Sequence, residues 1–363
     1  MNLYPAKVYT RSLENSWMLR LPRTIEWVEG RVRFIDQLKL PHKLEYVETE
    51  DWRRVAEAIK RMEIRGAPAI GVAAAFAMAL AATHSRTFSL EGCLRELEEC
   101  AEVLRSTRPT AVNLFWAVDR MLVAARKASR LDELKRKVVE EAVAIQQMDE
   151  ECNRRIGMLG RQLIDDGDTL ITVCNAGSLA TSYYGTATAP IYAAVEDGVK
   201  VRVLVMETRP YLQGARLTAW ELKQAGVDVK VVTDNSIGIV FERERISLAI
   251  VGADRITRCG YVANKIGTYP LALLAREHGV PFYVAAPTST FDLSIEGPDE
   301  IPIEVRPSEE VVYIYGKRIT PEGVEALYYA FDITPPKLVT GIITESGIVY
   351  PPYEKSIKRL FAK

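Results

Sequence analysis

The sequence predicts a mixed α/β fold, with an N-terminal, mainly helical domain carrying a small β-sheet and a C-terminal Rossmann-like domain whose mostly parallel sheet is flanked by helices. Three observations carry this reading. From residue 169 onward, short β-branched runs alternate with helical segments, the pattern of parallel strands with helices on their faces. Before residue 130, helical periodicity dominates. The chain has 363 residues, 48% of them hydrophobic, enough to bury two cores. The boundary is drawn between 1–130 and 131–363.

Taken in order, "TIEWV" and "RVRFI" flank Glu29-Gly30 and read as a β-hairpin. "DWRRVAEAIKRM", "AIGVAAAFAMALAAT", "LEGCLRELEECAEVLRST" and "AVNLFWAVDRMLVAARKA" read as helices. A long amphipathic stretch, "LDELKRKVVEEAVAIQQMDEECNRRIGMLGRQLI", connects the two domains. Strands are expected at "TLITV", "VRVLVM", "DVKVVT", "SLAIVG", "PFYVAA" and "LVTGIIT". Helices are expected at "QGARLTAWELKQAG" and "ANKIGTYPLALLAREHG".

Composition narrows the function. A net charge of −1, with basic and acidic residues intermixed, gives no footprint for a nucleic-acid backbone, so a small-molecule substrate is expected. The opening "MNLYPAKVYTRSLENSW" lacks a signal-peptide core, and the Ala-rich stretch 67–82 is short for a bilayer, so no membrane segment is expected. Cys93, Cys100, Cys152, Cys174 and Cys259 are irregularly spaced, which points to a reducing, cytoplasmic setting. His42, His84 and His278 are too scattered for a metal site. Scarce Asn and Gln beside plentiful Arg, Glu and Lys is a bias of heat-adapted proteins.

Ligands of parallel sheets bind beyond the carboxyl ends of the strands. The exits here read "CNAGS", "ETRPYLQGAR", "TDNS", "GADRIT" and "APTSTFD". Cys174 is expected just before a helix N-terminus, where a thiol ionises more readily. Gly177 is expected to let the backbone approach an anion or an oxygen-rich substrate. Either residue also fits a plain structural role. Asp254 follows a fully apolar strand, where burial raises a carboxyl pKa and suits a general acid; its alternatives are capping or pairing with Arg255. Asn264 and Lys265 are expected to open a helix and to offer donors to a phosphate. Arg65, Gly66 and Ala67 precede Pro68 in a turn suited to a phosphate, and Arg108 lies at a similar loop-to-helix junction; either arginine also fits a bridge between domains.

Assembled, "RGAPAIGVAAA", "STRPTAVNLFWA", "CNAGSLAT", "ETRPYLQGARLTAWEL", "GADRIT", "ANKIGTYPLA", "APTSTFD" and "GKRITPEGVEALYYAFDITPPKLVTGIITESGIV" resemble, in order and almost end to end, the methylthioribose-1-phosphate isomerases of the initiation factor 2B-like superfamily. The resemblance implies an aldose-ketose isomerase of methionine salvage, acting on a phosphorylated sugar as a homodimer without metal or organic cofactor. It implies that Cys174 and Asp254 are the catalytic pair. It also implies that Arg65, Gly66, Ala67, Arg108, Gln213, Asn264 and Lys265 hold the substrate. Met206 and Thr188 depart from the family pattern and are expected to adjust the pocket's shape.

Overall fold

The computed structural model describes residues 19, 21–108 and 111–362, so the opening segment used in the signal-peptide argument lies outside the described residues. β1 (Ile25–Val28) and β2 (Arg31–Ile35) form the expected hairpin, with Ile25 opposite Phe34. A third strand, β3 (Tyr46–Thr49), adds to β2. Four helices follow: α1 (Trp52–Lys60), α2 (Ala67–Thr83), α3 (Leu90–Thr107) and α4 (Val112–Arg126). Asp51 caps α1 and Ser89 caps α3, each accepting a backbone N–H of the first turn. α2 is apolar on every side and is therefore the central helix of this region, with α1, α3 and α4 around it.

α5 (Leu131–Arg161) serves two cores. Leu134, Val138, Ala142 and Ile145 pack with the helical region, whereas Ile156 packs beneath the large sheet. Beyond it come β4 (Thr169–Thr172), α6 (Ala189–Glu196), β5 (Arg202–Met206), α7 (Ala219–Gln224), β6 (Asp228–Val232), α8 (Ile237–Arg243) and β7 (Leu248–Val251). Next are β8 (Arg255–Thr257), β9 (Val262–Lys265), α9 (Thr268–Glu277), β10 (Phe282–Ala285), β11 (Phe291–Asp292) and α10 (Glu309–Val312). The chain ends with β12 (Tyr313–Ile314), β13 (Lys317–Arg318), β14 (Phe331–Thr334), β15 (Gly341–Thr344), β16 (Gly347–Val349) and α11 (Tyr353–Phe361).

The large sheet has the order β16-β15-β10-β7-β4-β5-β6, and every pairing is parallel except β15 with β16. Side chains alternate between its faces. Leu170, Val203 and Ile250 pack against α5 and α6, while Ile171, Leu204 and Val251 pack on the side of α8, α9 and α11. Strand order reverses between β4 and β7, the switch point at which open α/β sheets form ligand crevices. Cys174 follows β4 and Asp254 follows β7.

Two expectations need correcting. The segment "ANKIGTYPLALLAREHG" does not begin as helix: Val262–Lys265 is a strand, paired with β8 and β14 in a second, four-stranded sheet, and α9 starts only at Thr268. Cys174 does not precede a helix. Residues 178–180 form a single 3₁₀ turn, and α6 starts at Ala189. In both places long-range pairing or packing, which leaves no local periodicity, decides the backbone.

Candidate active site

One cavity lies between the helical region and the switch point. Arg65, Gly66 and Ala67 from the start of α2 and Arg108 from the α3–α4 junction line it on one side. Cys174, Gln213, Asp254, Asn264 and Lys265 line it on the other. All nine site residues expected from the sequence therefore face the same space. Pro109 and Thr110 of the "TRPT" stretch lie outside the described residues.

The approach of the helical region is close. Gly66 caps α2 at φ +91°, and a Cβ there would sit 2.3 Å from the carbonyl oxygen of Ala180. Only glycine permits this contact. Pro68 lies within the first turn of α2, where its missing N–H does no harm.

Cys174 is buried, with φ +69°, a backbone region that L-residues rarely adopt. Its N–H donates to Thr208 Oγ1 at 2.9 Å, and its carbonyl accepts from Thr218 Oγ1 at 2.6 Å. The side chain of Gln213 donates to Sγ at 3.4 Å, and the Lys265 ammonium acts electrostatically on the sulfur. These groups, not a helix dipole, provide the positive surroundings of the thiol. Gln213 Oε1 is buried and has no hydrogen-bond partner among the described residues, which leaves it an acceptor beside the sulfur.

Arg255 pairs with Asp292 at 3.0 Å, which leaves Asp254 facing the cavity. Asp254 has accessible surface as a residue, yet it lines the cavity and protein surrounds its carboxyl. Burial pushes its pKa up, against the pull of Lys265, Arg65 and Arg108. Burial also lowers the pKa of both Lys265 and Arg108. These desolvated cations are the environment that an incoming dianion compensates. The Lys265 ammonium lies 4.4 Å from the ring centre of Phe331. Asn264 is fixed within β9, its amide donating to Thr268 Oγ1 at 2.9 Å.

Several lining residues were not expected. Asn175 accepts from Arg65 Nη1 at 3.1 Å, and the Arg65 guanidinium also lies over the Tyr211 ring. Glu304, Arg306 and Tyr328 come from the long connection between β11 and β14. Tyr211 lies within the quoted "ETRPYLQGAR" and Tyr328 within the quoted "GKRITPEGVEALYYAFD" run, signals that were available; Glu304 and Arg306 follow no strand exit, lie in no quoted stretch and had none.

Other expected features have structural roles. A Cβ on Gly177 would fall 1.3 Å from Glu221 Oε1, so the oxygen-rich group that approaches this glycine is the protein's own buried carboxyl. Asp234, in "TDNS", accepts the backbone N–H groups of Thr208 and Arg209 at 2.9 and 2.7 Å. Met206 packs in the sheet core and Thr188 precedes α6; neither lines the cavity.

The sequence matches the initiation factor 2 subunit family over residues 63–351. A methylthioribose-1-phosphate isomerase of Geobacillus thermodenitrificans is 51% identical, over 94% of this chain and 97% of its own length. The crystal structure of 5-methylthioribose 1-phosphate isomerase from Pyrococcus horikoshii OT3 is 46% identical with a TM-score of 0.90, covering 94% of this chain and 96% of that one. A structure described as translation initiation factor eIF-2B, subunit delta, from A. fulgidus is 44% identical with a TM-score of 0.87, covering 94% and 99%.

Proposed function

The chain belongs to the initiation factor 2 subunit family and, within it, to the methylthioribose-1-phosphate isomerases; from that premise we propose a site and a mechanism. The reaction is the aldose-ketose isomerisation of 5-methylthioribose 1-phosphate to 5-methylthioribulose 1-phosphate, a step of methionine salvage. Cys174 and Asp254 are the catalytic pair, and Arg65, Gly66, Ala67, Arg108, Gln213, Asn264 and Lys265 bind the substrate.

The observation that carries this proposal is the meeting, at one switch point, of a thiol, a carboxyl with raised proton affinity and desolvated cations. The phosphate on the anomeric oxygen prevents the sugar ring from opening spontaneously, so opening needs an acid. Protonated Asp254 donates to the ring oxygen as the bond from that oxygen to C1 breaks. The Cys174 thiolate removes the C2 proton, and the electron pair forms the C1–C2 double bond of an enol phosphate. Asp254, now a carboxylate, accepts the proton of the C2 hydroxyl while the Cys174 thiol returns its proton to C1. Both residues end as they began, and no metal or organic cofactor is invoked. Turnover in deuterium oxide tests the route: deuterium at product C1 supports it, and its absence favours a hydride shift from C2 to C1.

A regulatory subunit leaves the pinned thiol, the acid and the desolvated cations without a task. A bisphosphate substrate would need a second anion site, whereas the 301–328 side of the cavity brings Glu304 beside Arg306. Purified protein is therefore expected to turn over methylthioribose 1-phosphate in preference to ribose 1,5-bisphosphate. The reverse preference would overturn this reading.

We also propose the two-domain division 1–130 and 131–363 and a cytoplasmic homodimer from a heat-adapted source. Five free cysteines, scarce Asn and Gln, and ample apolar content support that setting. Light scattering on the purified protein tests the dimer.

A further inference from the structure

A buried hydroxyl, that of Thr218, ties the backbone of Cys174 to the guanidinium of Arg65. Thr218 Oγ1 donates to the Cys174 carbonyl at 2.6 Å and accepts from Asn175 Nδ2 at 3.2 Å. Asn175 Oδ1 in turn accepts from Arg65 Nη1 at 3.1 Å. The threonine hydroxyl has a single O–H, committed to the Cys174 carbonyl, so it can only accept from Asn175, whose amide and carbonyl serve different partners. The chain starts at a residue whose φ of +69° needs external support.

The local helix geometry explains how Thr218 gets there. Residues Gly214–Thr218 form a π-helical turn before α7. An α-helix brings residues three and four apart onto one face, whereas i→i+5 bonding brings together residues five apart. Gln213 and Thr218 are five apart. One reaches Cys174 Sγ at 3.4 Å and the other its carbonyl at 2.6 Å.

We propose that Thr218 is a positioning residue for the isomerase reaction: its hydroxyl, delivered by the π turn, holds the Cys174 thiol in register with the phosphate clamp that Arg65 begins. This rests on the function proposed above. Arg65 keeps its place over Tyr211 when the hydroxyl is lost, so phosphate binding survives and the chemical step suffers.

The test compares Thr218→Val, which removes the hydroxyl at nearly constant shape, with Thr218→Ser, which restores it. Kinetics with methylthioribose 1-phosphate are measured beside thermal melting. The valine variant is expected to lose about tenfold or more in kcat, since small misplacements of reacting groups are costly. Its KM is expected to change by less than about threefold, and the serine variant to recover kcat to within about threefold of wild type. If the valine variant does not fold, Thr218→Ala is read in the same way. A hydroxyl-free variant that keeps kcat within about twofold of wild type overturns the proposal, as does a folded serine variant as slow as the valine one. Wild-type protein without turnover would instead overturn the isomerase reading, and this inference with it.

Discussion

Arg65 donates through Nη1 to Oδ1 of Asn175 at 3.1 Å, joining the segment that leads into α2 to the residue after Cys174. The same guanidinium lies over the Tyr211 ring, 5.7 Å from its centre. A planar fork makes both contacts at once and still offers donors to a phosphate; a lysine ammonium does not. Arg65→Lys is therefore expected to raise KM about tenfold or more, since a hydrogen bond to a charged group is worth about 1.5–3 kcal/mol. Steady-state kinetics check this, and an unchanged KM contradicts it.

Gly66 joins the same two regions through the backbone. Gly66→Ala forces an L-residue to φ +91° and drives its Cβ toward the Ala180 carbonyl. Such strain costs about 1–3 kcal/mol and pushes the start of α2 away from the cavity. A lower melting temperature with weaker inhibition by product is expected. Calorimetry and inhibition assays check the two effects separately.

Glu221 makes stability depend on pH. It is fully buried, and Oε2 accepts the Leu179 N–H at 3.0 Å. Burial raises its pKa from 4.5 to about 8, despite the opposing hydrogen bond from the Leu179 N–H. The folded state thus binds this proton more tightly than the unfolded state. The contribution is complete below pH 4.5 and is lost as pH rises through about 8. Glu221→Gln, uncharged throughout, is expected to flatten the decline in stability over that window. Asp149, raised to about 6, leaves a residual slope of the same sign. Chemical denaturation across the range measures both, and equal slopes in variant and wild type contradict the account.

As the proposed general acid, Asp254 is expected to set the alkaline limb of activity. Its raised pKa keeps the carboxyl protonated to higher pH than an ordinary aspartate, and activity is expected to fall as that proton is lost. Lys265, Arg65 and Arg108 now pull the other way. A bound phosphate offsets those cations and adds negative charge, which raises Asp254 further. The alkaline limb is therefore expected at higher pH in kcat than in kcat/KM. Coincident limbs contradict this.

Much of the site was legible because the strands announce themselves. "TLITV" and "SLAIV" are apolar runs, and the polar residues that end them fall at the switch point once the sheet is assembled. The surroundings of the thiol were not legible. The small residues after Cys174 read as the approach to a helix, yet the chain turns left-handed there and is held by Thr208 and Thr218 from another exit. Asn264 and Lys265 read as a helix start because β9 is four residues long and its partner β14 lies far downstream. The buried Glu221 looked like any polar residue on a helix. Its surroundings, Gly177 that makes room for it and the Leu179 N–H that it accepts, come from elsewhere in the chain.

The most direct measurement is turnover of methylthioribose 1-phosphate by wild type, Cys174→Ser and Asp254→Asn, with folding verified by melting temperature. The account expects robust turnover by wild type and a loss of about 10²–10⁴-fold in kcat in each variant, the span of general acid–base catalysis. A folded variant of either kind that keeps kcat within about tenfold of wild type would contradict the assignment of Cys174 and Asp254 as the groups that move the protons.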